Sequence, residues 1–83
     1  MATDYLALSL REYSARLEEA TCHTAQAGVD EDGEPCWFLV DPCGDYCGDP
    51  WHRWQDFVFD TYPAIERYEI ETEMAELRQL LEA

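Results

Sequence analysis

Apolar residues recur at helical spacing from the start of the chain. Leu6, Leu10, Tyr13, Leu17 and Ala20 stand three or four apart with polar residues between them. That period predicts an amphipathic helix over about residues 3–20. Thr3 is placed to cap it, Asp4 suits its first turn, and Glu12 and Arg16 form an i,i+4 charge pair in the better orientation. Such a stripe serves core packing or a dimer seam, and core packing is the ordinary use.

The pattern then changes from helical to alternating. His23, Ala25, Ala27 and Val29 fall on one side of an extended segment, residues 30–34 make a polar turn in which Gly33 can take positive φ, and residues 36–40 read Cys-Trp-Phe-Leu-Val. Together they predict a β-hairpin over residues 21–41. Its return strand is apolar on both sides, so it is covered on both faces or used at an interface. Residues 41–50 are dense in Pro, Gly and Asp and predict a loop. Asp49 followed by Pro50 predicts a helix start. Trp51, Trp54, Phe57, Val58 and Tyr62 then line a broad aromatic face of a helix over residues 50–61, which Pro63 ends. In the last segment, residues 63–82, Ile70, Met74, Leu77 and Leu81 give one stripe. Ile65 and Tyr68 fall on another side, which predicts a kink or break near Glu69. A rival pattern makes residues 67–72 a strand, with Tyr68, Ile70 and Thr72 alternating against Glu69, Glu71 and Glu73. Thr72 then caps a shorter final helix. The expected fold class is α+β in a single small domain over residues 1–83. It comprises an N-terminal helix, a β-hairpin and two C-terminal helices, the last kinked or preceded by a third strand.

Composition adds a packable core and an extreme charge. The chain is 47% hydrophobic and carries three Trp, five Tyr and three Phe, unlike disordered chains of high charge. Against 19 Asp plus Glu stand 5 Arg and no Lys, a formal net charge of −14 on 83 residues. A body this negative is repelled by nucleic acid and anionic membranes and drawn to basic protein surfaces. Direct nucleic-acid or membrane binding is therefore not expected. No apolar run reaches the ~20 residues of a membrane span, and Met-Ala-Thr-Asp-Tyr does not begin a signal peptide. A cytoplasmic location in a bacterial host cell follows as the expectation. Lys and Asn, whose codons are A-rich, are both absent, which fits a GC-rich bacterial or phage genome.

The carboxylates form groups. On one helix, Glu66, Glu69, Glu73 and Glu76 share a side at spacings of 3, 4 and 3, with neighbours about 5–6 Å apart. This row resembles phosphates along one strand of a duplex. Asp30, Glu31, Asp32 and Glu34 form a second group and Asp41, Asp45 and Asp49 a third. The turn at residues 30–34 lacks the ligand spacing of a calcium loop. Trp51, in the run Trp51-His52-Arg53-Trp54, is the candidate aromatic anchor for a partner.

Four cysteines, Cys22, Cys36, Cys43 and Cys47, are expected to be reduced and mostly buried in an intracellular chain. Cys36, Cys43, Cys47 and His52, with Cys22 or His23 in reach, supply enough donors for zinc. The C-x2-C pair that opens most structural zinc sites is missing, so no cofactor is expected. Catalysis is not expected either. Cys22 and His23 are neighbours that a strand would point to opposite faces, and Cys47 and His52 have no identifiable orienting group.

In general character (small, acidic and without an enzyme motif) the chain resembles phage- and plasmid-encoded inhibitors of nucleic-acid-handling machinery, including anti-CRISPR and anti-restriction proteins. The resemblance lies in composition and implies no residue roles. The function expected is a non-enzymatic inhibitor that mimics nucleic acid and occupies a basic nucleic-acid-binding surface. A zinc-stapled or dimeric module that binds through its aromatics, or an antitoxin-like neutraliser, is the alternative. Because carboxylate repulsion opposes the compact state and salt screens it, the melting temperature should rise between about 50 mM and about 500 mM NaCl, a range over which the screening length falls severalfold. A thermal melt followed by circular dichroism checks this.

Overall fold

A computed structural model describes residues 4–82. Thr3, the expected cap of the first helix, lies outside the described residues. The order of elements is a short 3-10 helix (Tyr5–Ala7), α1 (Leu10–Thr21), β1 (Thr24–Val29), β2 (Pro35–Val40) and α2 (Trp54–Glu82). The α+β class expected from the sequence is thus present: an N-terminal helix, an antiparallel hairpin and a long C-terminal helix.

α1 begins later than the apolar period suggested, because Ser9 is the better cap. Its hydroxyl accepts the Glu12 N–H while the Glu12 carboxylate accepts the Ser9 N–H, a complete capping box. Asp4 caps the preceding 3-10 turn instead. Tyr13 and Leu17 are the buried residues of the α1 face, whereas Leu6 remains 41% exposed. The helix closes on Cys22 in the left-handed region (φ 64), where glycine is commoner. That sharp exit sends the chain directly into β1, which Ser14 anchors by accepting the Ala25 N–H at 3.0 Å.

In the hairpin, Ala25 faces Leu39 and Ala27 faces Trp37. Ala25, Trp37 and Leu39 pack against the helices. The hairpin is narrower than residues 21–41: His23 precedes it, and Val29 at its far end is 65% exposed rather than part of the apolar side. As the sequence implied, β2 is covered on its second face too. There Cys36 is buried and Phe38 stacks on Tyr46 with ring centroids 4.4 Å apart.

The cover comes from a second turn that repeats the chemistry of the first. In residues 30–34, Asp30 accepts the N–H groups of Asp32 and Glu34, and Gly33 sits at φ +81. In residues 41–45, Asp41 accepts those of Cys43 and Asp45, and Gly44 sits at φ +91. Both are three-residue hairpin loops closed by an Asp side chain and a left-handed glycine. The second returns the chain along the free edge of β2, with bridges Val40–Tyr46 and Trp37–Trp51. A third extended segment therefore exists, but before α2 and not at residues 67–72, which are helical.

This pairing overturns the expected helix start at Asp49-Pro50. Trp51 exchanges two backbone hydrogen bonds with Trp37, at 2.8 and 2.9 Å, so residues 49–51 stay out of the helix and α2 starts at Trp54. The fixed φ of Pro50 suits an extended chain as well as a first helical turn. A second correction concerns Pro63. It lies inside α2 without ending it, so the two expected C-terminal helices are one. Pro63 and Phe59, whose carbonyl loses its partner, are both on the exposed side, where water can replace the missing N–H. Nor does the helix break at Glu69. Ile65 and Ile70 point about 140° apart on a regular helix because α2 has two environments. Its first half buries Phe57, Val58, Thr61 and Ile65. Residues 70–82 are all exposed.

The core is small and aromatic: Tyr5, Tyr13, Leu17, Phe57, Val58 and Ile65, walled by Trp37, Trp51, Trp54 and Tyr62. The radius of gyration is 15.0 Å, against about 12 Å for a compact chain of this length, because α2 runs for about 43 Å and its distal half projects as an arm. Leu17→Ala, at 2% exposure, should cost about 2–5 kcal/mol. Leu81→Ala, at 87% exposure, should stay within about 0.5 kcal/mol of wild type. Equilibrium urea unfolding of the two variants compares body with arm.

Candidate partner-binding surface

The acidic row is assembled by one uninterrupted helix. Glu66, Glu69, Glu73 and Glu76 all lie in α2, within about 80° of one another around its axis. Their like charges at i,i+3 and i,i+4 oppose the helix by about 0.2–0.5 kcal/mol per pair, and the last turn of α2 holds no basic residue to complement its dipole. What keeps the arm helical is composition: residues 73–82 are rich in strong helix formers, Glu, Met, Ala, Leu, Arg and Gln.

Glu69 differs from its three companions. Both of its oxygens lie within hydrogen-bonding distance of the Arg16 guanidinium, at 3.2 and 3.3 Å, and this pair ties the base of the arm to α1. Glu66, Glu73 and Glu76 are exposed. The expected partner of Arg16, Glu12, is taken by the capping box. Its carboxyl is held below the usual range mainly by the Ser9 hydrogen bonds, with a smaller contribution from the Arg16 charge.

The second acidic group is divided as well. One oxygen of Asp30 accepts the Asp32 and Glu34 N–H groups at 2.8 and 2.9 Å, and the other meets His52 Nε2 at 3.0 Å. Asp30 therefore builds the turn, whereas Glu31, Asp32 and Glu34 are exposed around it. Asp30, Glu31 and Asp32, with Asp49 and His52, rim a shallow depression lined by Val29, Phe38 and Pro50. In the third group Asp41 is spent on its own turn, and Asp45 and Asp49 are exposed.

Trp51 is committed to the fold. Its indole N–H donates to Asp60 at 2.6 Å, its ring meets Phe57 edge-on at 5.1 Å, and its backbone pairs with Trp37. Trp37 in turn packs against Trp54. The three tryptophans pack against the core. Leu6, Val29, Tyr46 and Phe59 stand exposed on the body, and the longest series of exposed large apolar side chains is on the arm: Ile70, Met74, Leu77, Leu80 and Leu81. Their stripe was visible in the sequence, but its direction was not.

The proposed zinc donors are not brought together. Cys36 is buried, Cys43 is exposed on its turn, Cys47 is half-buried and His52 is held by Asp30. Among the described residues no three His, Cys, Asp or Glu side chains are grouped as metal ligands. All four cysteines are free thiols, but burial is true only of Cys36, where it pushes the thiol pKa up. Cys22 and Cys43 are exposed, a correction to the expectation of mostly buried thiols. No helix among the described residues is long and apolar enough to cross a membrane.

The Asp30 carboxyl is held below the usual carboxylate range, first by the Glu34 N–H and then by Asp32 and His52. Its folded pKa lies below its unfolded one, so the stabilisation is complete above about pH 4 and is lost as pH falls through the folded value. Asp30→Asn should melt below wild type at about pH 6, with the gap narrowing as pH falls below about 4. Melting temperatures across that range check it, and a gap independent of pH would refute a role for the charge.

Compared with known proteins, the chain matches no protein-family model, no curated protein and no solved structure.

Proposed function

We propose that this chain is a non-enzymatic acidic protein that binds a basic, nucleic-acid-binding surface of a target protein and keeps nucleic acid from it. The setting proposed is the cytoplasm of a bacterial cell, in the manner of a phage or plasmid inhibitor. The observation that carries this reading is the placement of Glu66, Glu73 and Glu76, exposed along a helical arm that projects from the body. With Glu69 they set one carboxylate per about 5 Å of helix axis, against one phosphate per about 3.4 Å on a duplex strand. The charge pitch is thus of the same order as that of nucleic acid. A rod about 10–12 Å across with its side chains is slim enough for a groove that takes nucleic acid.

Two further features support it. The row costs helix stability, and among the described residues Glu66, Glu73 and Glu76 have no salt bridge to offset it, in contrast to Glu69, which is the opposite of what selection for a stable exposed helix would produce. The net charge of −14 acts at longer range, raising the encounter rate with a basic target at low salt. Glu31, Asp32 and Glu34, exposed on the far turn, extend the negative surface without belonging to the same row.

The test is capture on immobilised protein from bacterial lysate at about 50 mM and about 500 mM salt, a span over which contacts of phosphate type weaken by orders of magnitude. A nucleic-acid-binding protein should be retained at low salt, be displaced by added duplex DNA or RNA, and be lost with Glu73→Arg plus Glu76→Arg. Those positions are exposed and their like charges oppose the helix, so the variant should keep or raise its melting temperature. Retention of the same protein by the double variant would remove the acidic arm from the interface.

A further inference from the structure

Ile70, Met74, Leu77 and Leu81 stand 48%, 56%, 54% and 87% exposed. Their spacings of four, three and four are those of the a and d positions of a helix seam, sustained over about three turns. The seam lies on the side of α2 away from the core: Ile65, fully buried, points about 140° from Ile70. Nothing in the body of the protein reaches it, as residues 70–82 are exposed on every side. It is too apolar to serve as a solubilising face, and an unbroken row of large apolar groups on a monomer marks a contact surface.

The two flanks of the seam differ, and the difference identifies what lies on it. Along one flank run Glu66, Glu73 and Glu76, with Glu69 behind them tied to Arg16. Along the other run Arg67, Glu71, Arg78 and Glu82, two Arg–Glu pairs each four residues apart, whose signs alternate and so cancel locally. An occupant complementary to this face has an apolar stripe, a basic row on one side and no strong charge on the other. A second copy of this chain is a poor match. Antiparallel pairing sets the Glu73 flank against itself. Parallel pairing offers Glu73 to Arg78 but Glu66 to Glu71, and either brings together two bodies of charge −14.

Resting on the reading that the partner is basic, we infer that the arm docks an amphipathic helix of the target protein. The apolar stripe of that helix lies on Ile70, Met74, Leu77 and Leu81, and its Arg or Lys row faces Glu66, Glu73 and Glu76. The mode is helix against helix, with the apolar seam supplying most of the affinity and the acid row fixing orientation and partner choice. It gives the interface a component that salt does not remove, beyond what charge mimicry alone provides.

The experiment uses the full chain and three labelled synthetic peptides of about 21 residues, long enough to span the seam as a helix. One has a Leu stripe and an Arg flank, the second a Leu stripe and a Gln flank, the third an Ala stripe and an Arg flank. Fluorescence anisotropy at physiological salt should rank the Leu/Arg peptide tightest. Leu77→Ser plus Leu81→Ser, and separately Glu73→Arg plus Glu76→Arg, should each weaken it by about tenfold or more, a difference of about 1.4 kcal/mol. Circular dichroism and urea midpoints matching wild type show that both variants fold. Equal binding of the Ala/Arg peptide overturns the seam and leaves the electrostatic reading standing. Equal binding of the Leu/Gln peptide overturns the basic partner. Failure of all three peptides to bind overturns the docking mode. A dimer in sedimentation equilibrium that Leu77→Ser abolishes assigns the seam to a second copy instead.

Discussion

Tyr13 holds the molecule together. It is completely buried and meets Tyr5, Trp54 and Phe57 edge-on, contacts worth about 0.5–1.5 kcal/mol each beyond the area they bury. Its hydroxyl is satisfied as well. Thr61 donates to the Phe57 carbonyl, which leaves the Thr61 oxygen to accept from Tyr13. A phenol in this place without a partner would cost about 1–3 kcal/mol. One side chain thus fixes α1 against the first half of α2, and its hydroxyl and that of Thr61 satisfy each other at the centre of the described core. Everything beyond that junction follows from it: the hairpin packs on the pair of helices, and the rest of α2 is left to project.

A core this small must hold against a net charge of −14, and the fold does so by employing part of its acid. Asp30 and Asp41 each close a turn through two backbone N–H groups, Asp60 anchors the Trp51 indole, Glu12 completes a helix cap and Glu69 binds Arg16. Charge-assisted hydrogen bonds of this kind are stronger than neutral ones, so these carboxylates offset some of the repulsion they create. Glu66, Glu73 and Glu76 take no such part.

The same division runs through the apolar residues. Tyr13, Leu17, Phe57, Val58 and Ile65 of the body close on one another, and the three tryptophans form one aromatic wall with Phe57. Those of the arm have no counterpart in the fold. An arm that pairs an apolar seam with an acid row on one flank has the makings of a selective contact: burial contributes affinity without regard to sequence, and charge rejects the wrong partners.

Local chemistry in the sequence settled the α+β class, the first helix through the period of Tyr13 and Leu17, the hairpin through Gly33 and its acidic turn, and the common side of Glu66, Glu69, Glu73 and Glu76. Periodicity and turn preference act over a few residues, so a linear reading reaches them. Where it went astray, a distant contact outweighed a local preference. Asp49-Pro50 is a sound helix start until Trp51 finds the backbone of Trp37, and Pro63 stops a helix unless the residues beyond it, Ile65 above all, are held in a core. That Asp60 and Glu69 are spent, that Trp51 turns inward, and that the Ile70 stripe turns outward were decided by tertiary structure alone. Each depends on which face of α2 the buried Tyr13 engages, and a sequence carries the spacing of a helix's faces but not the side from which its neighbour approaches.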